Sequence, residues 1–147
     1  LLKQDWGVEA DLWSCPSFTE LARDGQAVAR LNLLHPTDKP KLSHVEQCLK
    51  DTRGPVIAST DYVRAFAEQI RPFICHHGRR YTVLGTDGFG RSDYRVKLRR
   101  FFEVDRYYVV VAALKALADE GAIKATVVAE AITKYKLDTE RAAPWTV

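Results

Sequence analysis

Two short runs limit the folds open to this chain more than any other feature. Val56-Ile57-Ala58-Ser59-Thr60 and Tyr81-Thr82-Val83-Leu84-Gly85 are apolar and rich in β-branched residues. Such runs, bounded by turn residues, read as buried strands. A third candidate, Ala10-Asp11-Leu12-Trp13-Ser14-Cys15, ends at Pro16. A helical pattern follows each of the three. Strand then helix, repeated, implies parallel strands joined by helical crossovers. Three strands make a narrow sheet, and parallel strands need cover on both faces and edges. A further strand and helix are therefore expected before Leu1.

Turn and cap residues set the helix limits. Ser17-Phe18-Thr19-Glu20 and Ser43-His44-Val45-Glu46 both have the capping-box form. The first predicts a short helix that Gly25 weakens or ends. The second predicts a helix to about Lys50. His35-Pro36-Thr37-Asp38-Lys39-Pro40 is a loop, because each proline biases its predecessor away from helix. Thr60 or Asp61 is expected to cap a helix with the stripe Tyr62 or Val63, Phe66, Ala67 and Ile70, ending before Pro72. Asp105 caps a long helix to Glu120, with Val104, Tyr108, Val111 and Leu114 or Lys115 near one stripe and Gly121 as its stop. Thr126 is expected to cap the last helix, whose apolar face is Val127 or Val128, Ala131, Ile132 and Tyr135. Residues 138–147 read as a loosely held tail.

The chain has 147 residues, 46% of them hydrophobic, which suits one domain with a real core. No apolar run is long enough to span a membrane. The three cysteines, Cys15, Cys48 and Cys75, are widely spaced, which points to reduced intracellular thiols. There is no methionine. Together with an opening that reads like the second half of a helix, this suggests a piece of a longer polypeptide.

The chemistry candidates are few. Gly85-Thr86-Asp87-Gly88-Phe89-Gly90 is a glycine-rich turn between strand and helix, where a phosphate could sit. Its G-x-x-G-x-G spacing reverses the dinucleotide fingerprint, and no P-loop lysine follows. Gly88 and Gly90 instead read as positive-φ turn residues, with Ser92 or Asp93 capping the helix behind them. That helix is basic: Arg91, Arg95, Lys97, Arg99, Arg100 and Arg106 stand against Asp93, Glu103 and Asp105, with aromatics between them. Nucleic acid, a solvated helix face and a subunit interface would all use such a pattern. The interspersed acids and the lack of a binding motif argue against nucleic acid. Cys75-His76-His77 lacks a second metal-ligand cluster, and His35 and His44 fall in or near a proline-rich loop. No nucleophile elbow is present, and Ser59 and Cys15 have no evident base.

The strings LWSCPSFTELARDGQ, LLHPTDKP, VIASTDYVRAFAEQIRPF, YTVLGTDGFGRSD and LRRFFEVDRYYVVVAALKALADEGAI, in this order, resemble the C-terminal domain of the homodimeric, bacterial-type pyruvate dehydrogenases of the transketolase superfamily. The resemblance implies a three-layer α/β/α domain with a mostly parallel sheet of the transketolase C-terminal type, here lacking its N-terminal strand and helix. A central strand would then be missing between residues 10–15 and 55–60, so residues 1–147 should fold alone only marginally. The family decarboxylates pyruvate oxidatively and passes an acetyl group to the lipoyl group of a dihydrolipoyl acetyltransferase, in the cytoplasm. Thiamine diphosphate and Mg2+ sit on domains that precede this one, and their G-D-G…N-N motif is absent here. The resemblance therefore carries over no catalytic, cofactor or metal residue. It implies a structural role: packing on the middle domain and on the second subunit. The interface candidates are Asp87, Phe89, Arg91, Ser92, Asp93 and Arg95. Tyr94, Val96 and Lys97 make the following helix more basic and apolar than the family pattern. A paralogous transketolase or other 2-oxo acid dehydrogenase, and a free-standing binding module, are the alternatives. No nucleic acid or membrane is implied as a partner.

Overall fold

The computed structural model describes residues 1–74 and 78–147. Cys75, His76 and His77 lie outside the described residues, and so does the metal question they raised. Among the described residues, eight α-helices and two strands follow in the order α1 (Leu2–Trp6), α2 (Phe18–Leu34), α3 (His44–Leu49), β1 (Val56–Ser59), α4 (Arg64–Glu68), α5 (Arg71–Ile74), β2 (Tyr81–Leu84), α6 (Arg95–Phe101), α7 (Arg106–Asp119) and α8 (Ala125–Lys134). A 3₁₀ turn spans Pro144–Thr146.

The strands pair in parallel, Val56 opposite Tyr81 and Ser59 opposite Leu84. Alternation then sorts their side chains onto two faces. Tyr81 and Val83, with Val56 and Ala58, join a core formed by Ala22, Val45, Ala67, Ile70 and Ile74 from α2 to α5. On the opposite face Thr82 and Leu84 line a groove with Tyr108, Val111 and Ala112 of α7. Behind α7 lies a second core, in which Val110 and Leu114 meet Val128, Ala131 and Tyr135, closed by Leu2, Trp6 and Val8. The order helix, sheet, helix is the α/β arrangement expected, on a narrower sheet.

The sheet has two strands among the described residues, not three. Residues 10–15 carry no strand ladder, and Leu12 is 96% exposed. A strand exists only where a neighbour pairs with its N–H and C=O groups, and among the described residues no strand pairs with this run.

Gly25 also departs from expectation, because α2 runs unbroken through it to Leu34. A Cβ at Gly25 would overlap the Phe73 ring, and Gly25 is buried. The glycine is a contact point between α2 and the segment after α4, not a stop. The two capping boxes also differ. At Ser43 both halves form, with Glu46 accepting from the Ser43 N–H at 2.7 Å. At Ser17 the hydroxyl accepts from Glu20 N–H at 3.2 Å, while the Glu20 carboxylate turns to Arg23.

Asp105 caps α7 as expected, accepting from Tyr107 and Tyr108 N–H at 2.9 and 3.0 Å. Gly121 closes it at φ 76°. Thr126 does not cap α8: the helix starts at Ala125, with Lys124 at the N-cap and no side-chain bond. The stripe expected on α4 is split. Ala67 and Ile70 are buried, whereas Tyr62, Val63 and Phe66 are exposed.

Candidate functional site

Both strands point their carboxyl ends at the same edge of the molecule, where parallel α/β sheets present their loops. The β2 end is the GTDGFG turn. Gly85 comes so close to Arg64 N and Tyr62 O that a Cβ there would overlap both. Thr86 N–H donates to Tyr62 O at 2.8 Å. The Asp87 carboxylate accepts from the Arg64 N–H at 3.0 Å and takes the Arg64 guanidinium with its other oxygen. Asp87 therefore caps α4 from 23 residues away. This corrects the expectation for Thr60 and Asp61. Thr60 Oγ1 accepts from Tyr62 N–H instead, and Asp61 holds Arg99 in two hydrogen bonds of 3.0 and 2.6 Å. Those bonds are the main cause of an Asp61 carboxyl below the usual range.

Gly88 has φ 93°, and a Cβ on it would stand 2.7 Å from Trp145 Cα and 3.2 Å from Pro144 O. Only glycine fits both demands. Gly90 has neither a positive φ nor a near neighbour, so its expected turn role is not realised. Trp145 receives the Arg64 guanidinium over its ring at 4.8 Å. Arg141 donates to Phe101 O at 2.6 Å and to Glu103 at 3.1 Å, and lies over the Phe101 ring. The segment after α8, expected to be a loose tail, thus places Arg141, Pro144 and Trp145 against the turn and α6.

The remaining interface candidates fall on one exposed stretch. Every residue from Gly88 to Lys97 is exposed. Arg91 stacks over Phe101 at 4.8 Å. Ser92 makes no side-chain hydrogen bond among the described residues. Asp93 accepts from Tyr94 N–H at 2.7 Å and sits 3.8 Å from Lys97. Neither Ser92 nor Asp93 caps α6, whose N-cap is Tyr94 without a side-chain bond. The structure thus joins Asp87 to the fold and leaves Phe89, Arg91, Ser92, Asp93 and Arg95 pointing outward or lightly held. Sequence reasoning missed Arg64 and Trp145, because neither carries a local signal linking it to the turn.

The turn does not fit a diphosphate or Mg2+. Its one carboxylate, Asp87, is committed to Arg64, and the Pro144–Trp145 backbone stands against one side of Gly88. Among the described residues no three His, Cys, Asp or Glu side chains stand close enough to hold a metal. His35 lies 3.9 Å from Asp38, and His44 lies 3.5 Å from Cys48. Burial raises the Cys15 thiol. No helix among the described residues is long and apolar enough to cross a membrane.

A two-stranded parallel sheet between helical layers, with a glycine-rich turn at the carboxyl end of β2, places the chain in the α/β class. It belongs to the transketolase-like C-terminal domain family, whose model matches residues 1–105. Over all 147 residues it is 71% identical to a pyruvate dehydrogenase E1 component of Cupriavidus necator. Over 144 residues it is 62% identical to the one of Pseudomonas aeruginosa and 51% to that of Escherichia coli K12. The match is to their C-terminal part. The chain spans 16% of the length of each of these three proteins.

Proposed function

We propose that the chain serves as the C-terminal domain of an enzyme that oxidatively decarboxylates pyruvate, with a packing role rather than a chemical one. The observation that carries this reading is the 71% identity across the whole chain to a pyruvate dehydrogenase E1 component. In the full-length enzyme the chemistry belongs to thiamine diphosphate and Mg2+, and the protein positions them. The commitment of Asp87 to Arg64 favours assigning that cofactor and metal to other domains. The acetyl group passes to the lipoyl group of a dihydrolipoyl acetyltransferase, in the cytoplasm. The domain packs on the rest of its own chain and on the second subunit of a homodimer. Asp87, Phe89, Arg91, Ser92, Asp93 and Arg95 form its contact surface.

The test uses the full-length protein. Decarboxylation of pyruvate, dependent on thiamine diphosphate and Mg2+, is expected. Turnover of 2-oxoglutarate but not pyruvate would overturn the assignment. Residues 1–147 alone should bind no thiamine diphosphate by calorimetry. Alanine at Arg91 and Arg95 should weaken dimerisation or domain packing; unchanged association would remove these residues from the interface.

A further inference from the structure

Cys15 and Cys48 stand in unlike surroundings. Cys15 has no imidazole or cation beside it among the described residues, and burial raises its thiol. Cys48 lies on α3 four residues after His44, a spacing that puts both side chains on one face of the helix. Its Sγ is 3.5 Å from His44 Nε2, within reach of a proton transfer along that contact. His44 is exposed and Cys48 is half-buried, so the pair opens to solvent. Asp24 of α2 accepts from the His44 N–H at 2.6 Å and fixes its backbone, while the Glu46 carboxylate is turned to Ser43. The carboxyl end of α3 would by itself oppose negative charge on Cys48. Arg79 stands at that end, donating to Leu49 O at 3.5 Å and to Thr52 Oγ1 at 3.0 Å, and offsets it. Among the described residues no third metal-ligating side chain joins His44 and Cys48, so the pair has the form of a nucleophile and its base rather than of a metal centre.

We infer that Cys48 is a modification site: a thiol that exchanges with low-molecular-weight disulfides, with His44 as its base. The inference stands apart from the packing role proposed above. In the exchange the Cys48 S–H proton passes to His44 Nε2, and the sulfur attacks one sulfur of the disulfide. The new S–S bond forms as the old one breaks, and the departing thiolate takes the proton from His44. One disulfide is consumed and one is made, so no further oxidant enters. The thiolate, not the thiol, is the nucleophile, and near neutral pH an adjacent base therefore sets the rate. Cys15 has no such base and is desolvated, so it reacts more slowly.

The experiment treats the full-length enzyme briefly with oxidised glutathione, digests it with trypsin and follows the mixed disulfide by mass spectrometry. The tryptic peptides 42–50 and 4–23 separate Cys48 from Cys15. At about pH 7, modification of 42–50 should run about fivefold or more ahead of 4–23. The variant H44Q keeps a polar side chain at an exposed position but removes the base. It should slow Cys48 by about fivefold or more and leave Cys15 unchanged. At about pH 9.5, where most thiols ionise without a base, the parent and H44Q should agree within about twofold. Cys15 reacting ahead of Cys48, or Cys48 unmodified in the assembled enzyme, would overturn the site. An H44Q rate equal to the parent's, or slowed alike at both pH values, would overturn the role of His44 and the inference with it.

Discussion

The α7–α8 hairpin and the segment from Gly88 to Lys97 are near neighbours in sequence and are satisfied in different ways. The hairpin closes on itself. Leu114 is fully buried against Val110, Val128, Ala131 and Tyr135, and α7 is capped at its start by Asp105 and stopped by Gly121 at the turn into α8. The exposed segment has its strongest tie at its base, where Asp87 holds Arg64. Beyond that, aromatic and cationic side chains face outward with few local partners. One region's residues are explained by contacts inside the domain, and the other's are not. Destabilisation should therefore follow substitution in the first, and lost association should follow substitution in the second.

The largest effect should come from Leu114→Ala, which empties a fully buried site. Urea unfolding should show a loss of about 2–5 kcal/mol. A loss under 1 kcal/mol would mean that the hairpin core is looser than its packing implies. Gly25→Val should cost about 1–3 kcal/mol by overpacking against Phe73. Phe73→Ala in the same chain should recover part of that, and strict additivity in the double-mutant cycle would remove the contact from the explanation. Asp105→Ala should cost about 0.5–2 kcal/mol, through two capping bonds and the partner of Arg100.

The pH dependence tests the junction of α1 with the hairpin. The Tyr135 hydroxyl donates to Asp5 at 2.8 Å and accepts from Trp6 Nε1 at 2.7 Å. The Tyr135 and Lys134 hydrogen bonds hold the Asp5 carboxyl below its usual range, the Tyr135 bond being the larger cause. A group depressed in the folded chain stabilises above its unfolded value and loses that contribution as pH falls through the folded one. Stability should therefore drop below about pH 4, and Asp5→Asn should flatten the drop. Tyr135 has the opposite sign: burial raises its hydroxyl, so its contribution holds below about pH 10 and is lost above it. An acid limb unchanged in Asp5→Asn would sever α1 from this account. The smallest effect on folding belongs to the exposed segment. Phe89→Ser and Arg91→Ala should each stay within about 0.5 kcal/mol of the parent in urea. A larger change would give these residues an internal role and blur the contrast with the hairpin.

Much of the fold was legible in the sequence, and the successes share a length scale. The Ser43 box, the Asp105 cap, the Gly121 stop and the 3.6-residue stripe of α8 each depend on residues within a turn or two. Both paired strands were legible because their apolar runs are bounded by Gly54-Pro55 and by the glycine turn. Residues 10–15 have a strand's composition but no ladder partner, and composition cannot report a missing neighbour. The candidate surface was half legible. Its glycines and arginines were visible, but the anchoring of Asp87 to Arg64 and the approach of Trp145 to Gly88 were not.

The sequence by itself determined the family, the two paired strands, the start of α2 and the limits of α3 and α7. Those follow from steric and hydrogen-bond preferences that act between near neighbours. Tertiary structure alone decided that Gly25 serves a crossing rather than an end, that Asp87 rather than Thr60 or Asp61 caps α4, and that the segment after α8 reaches back to the turn. Each of these joins residues 23 or more positions apart. Whether they meet depends on how whole helices pack against the sheet, which no local pattern encodes.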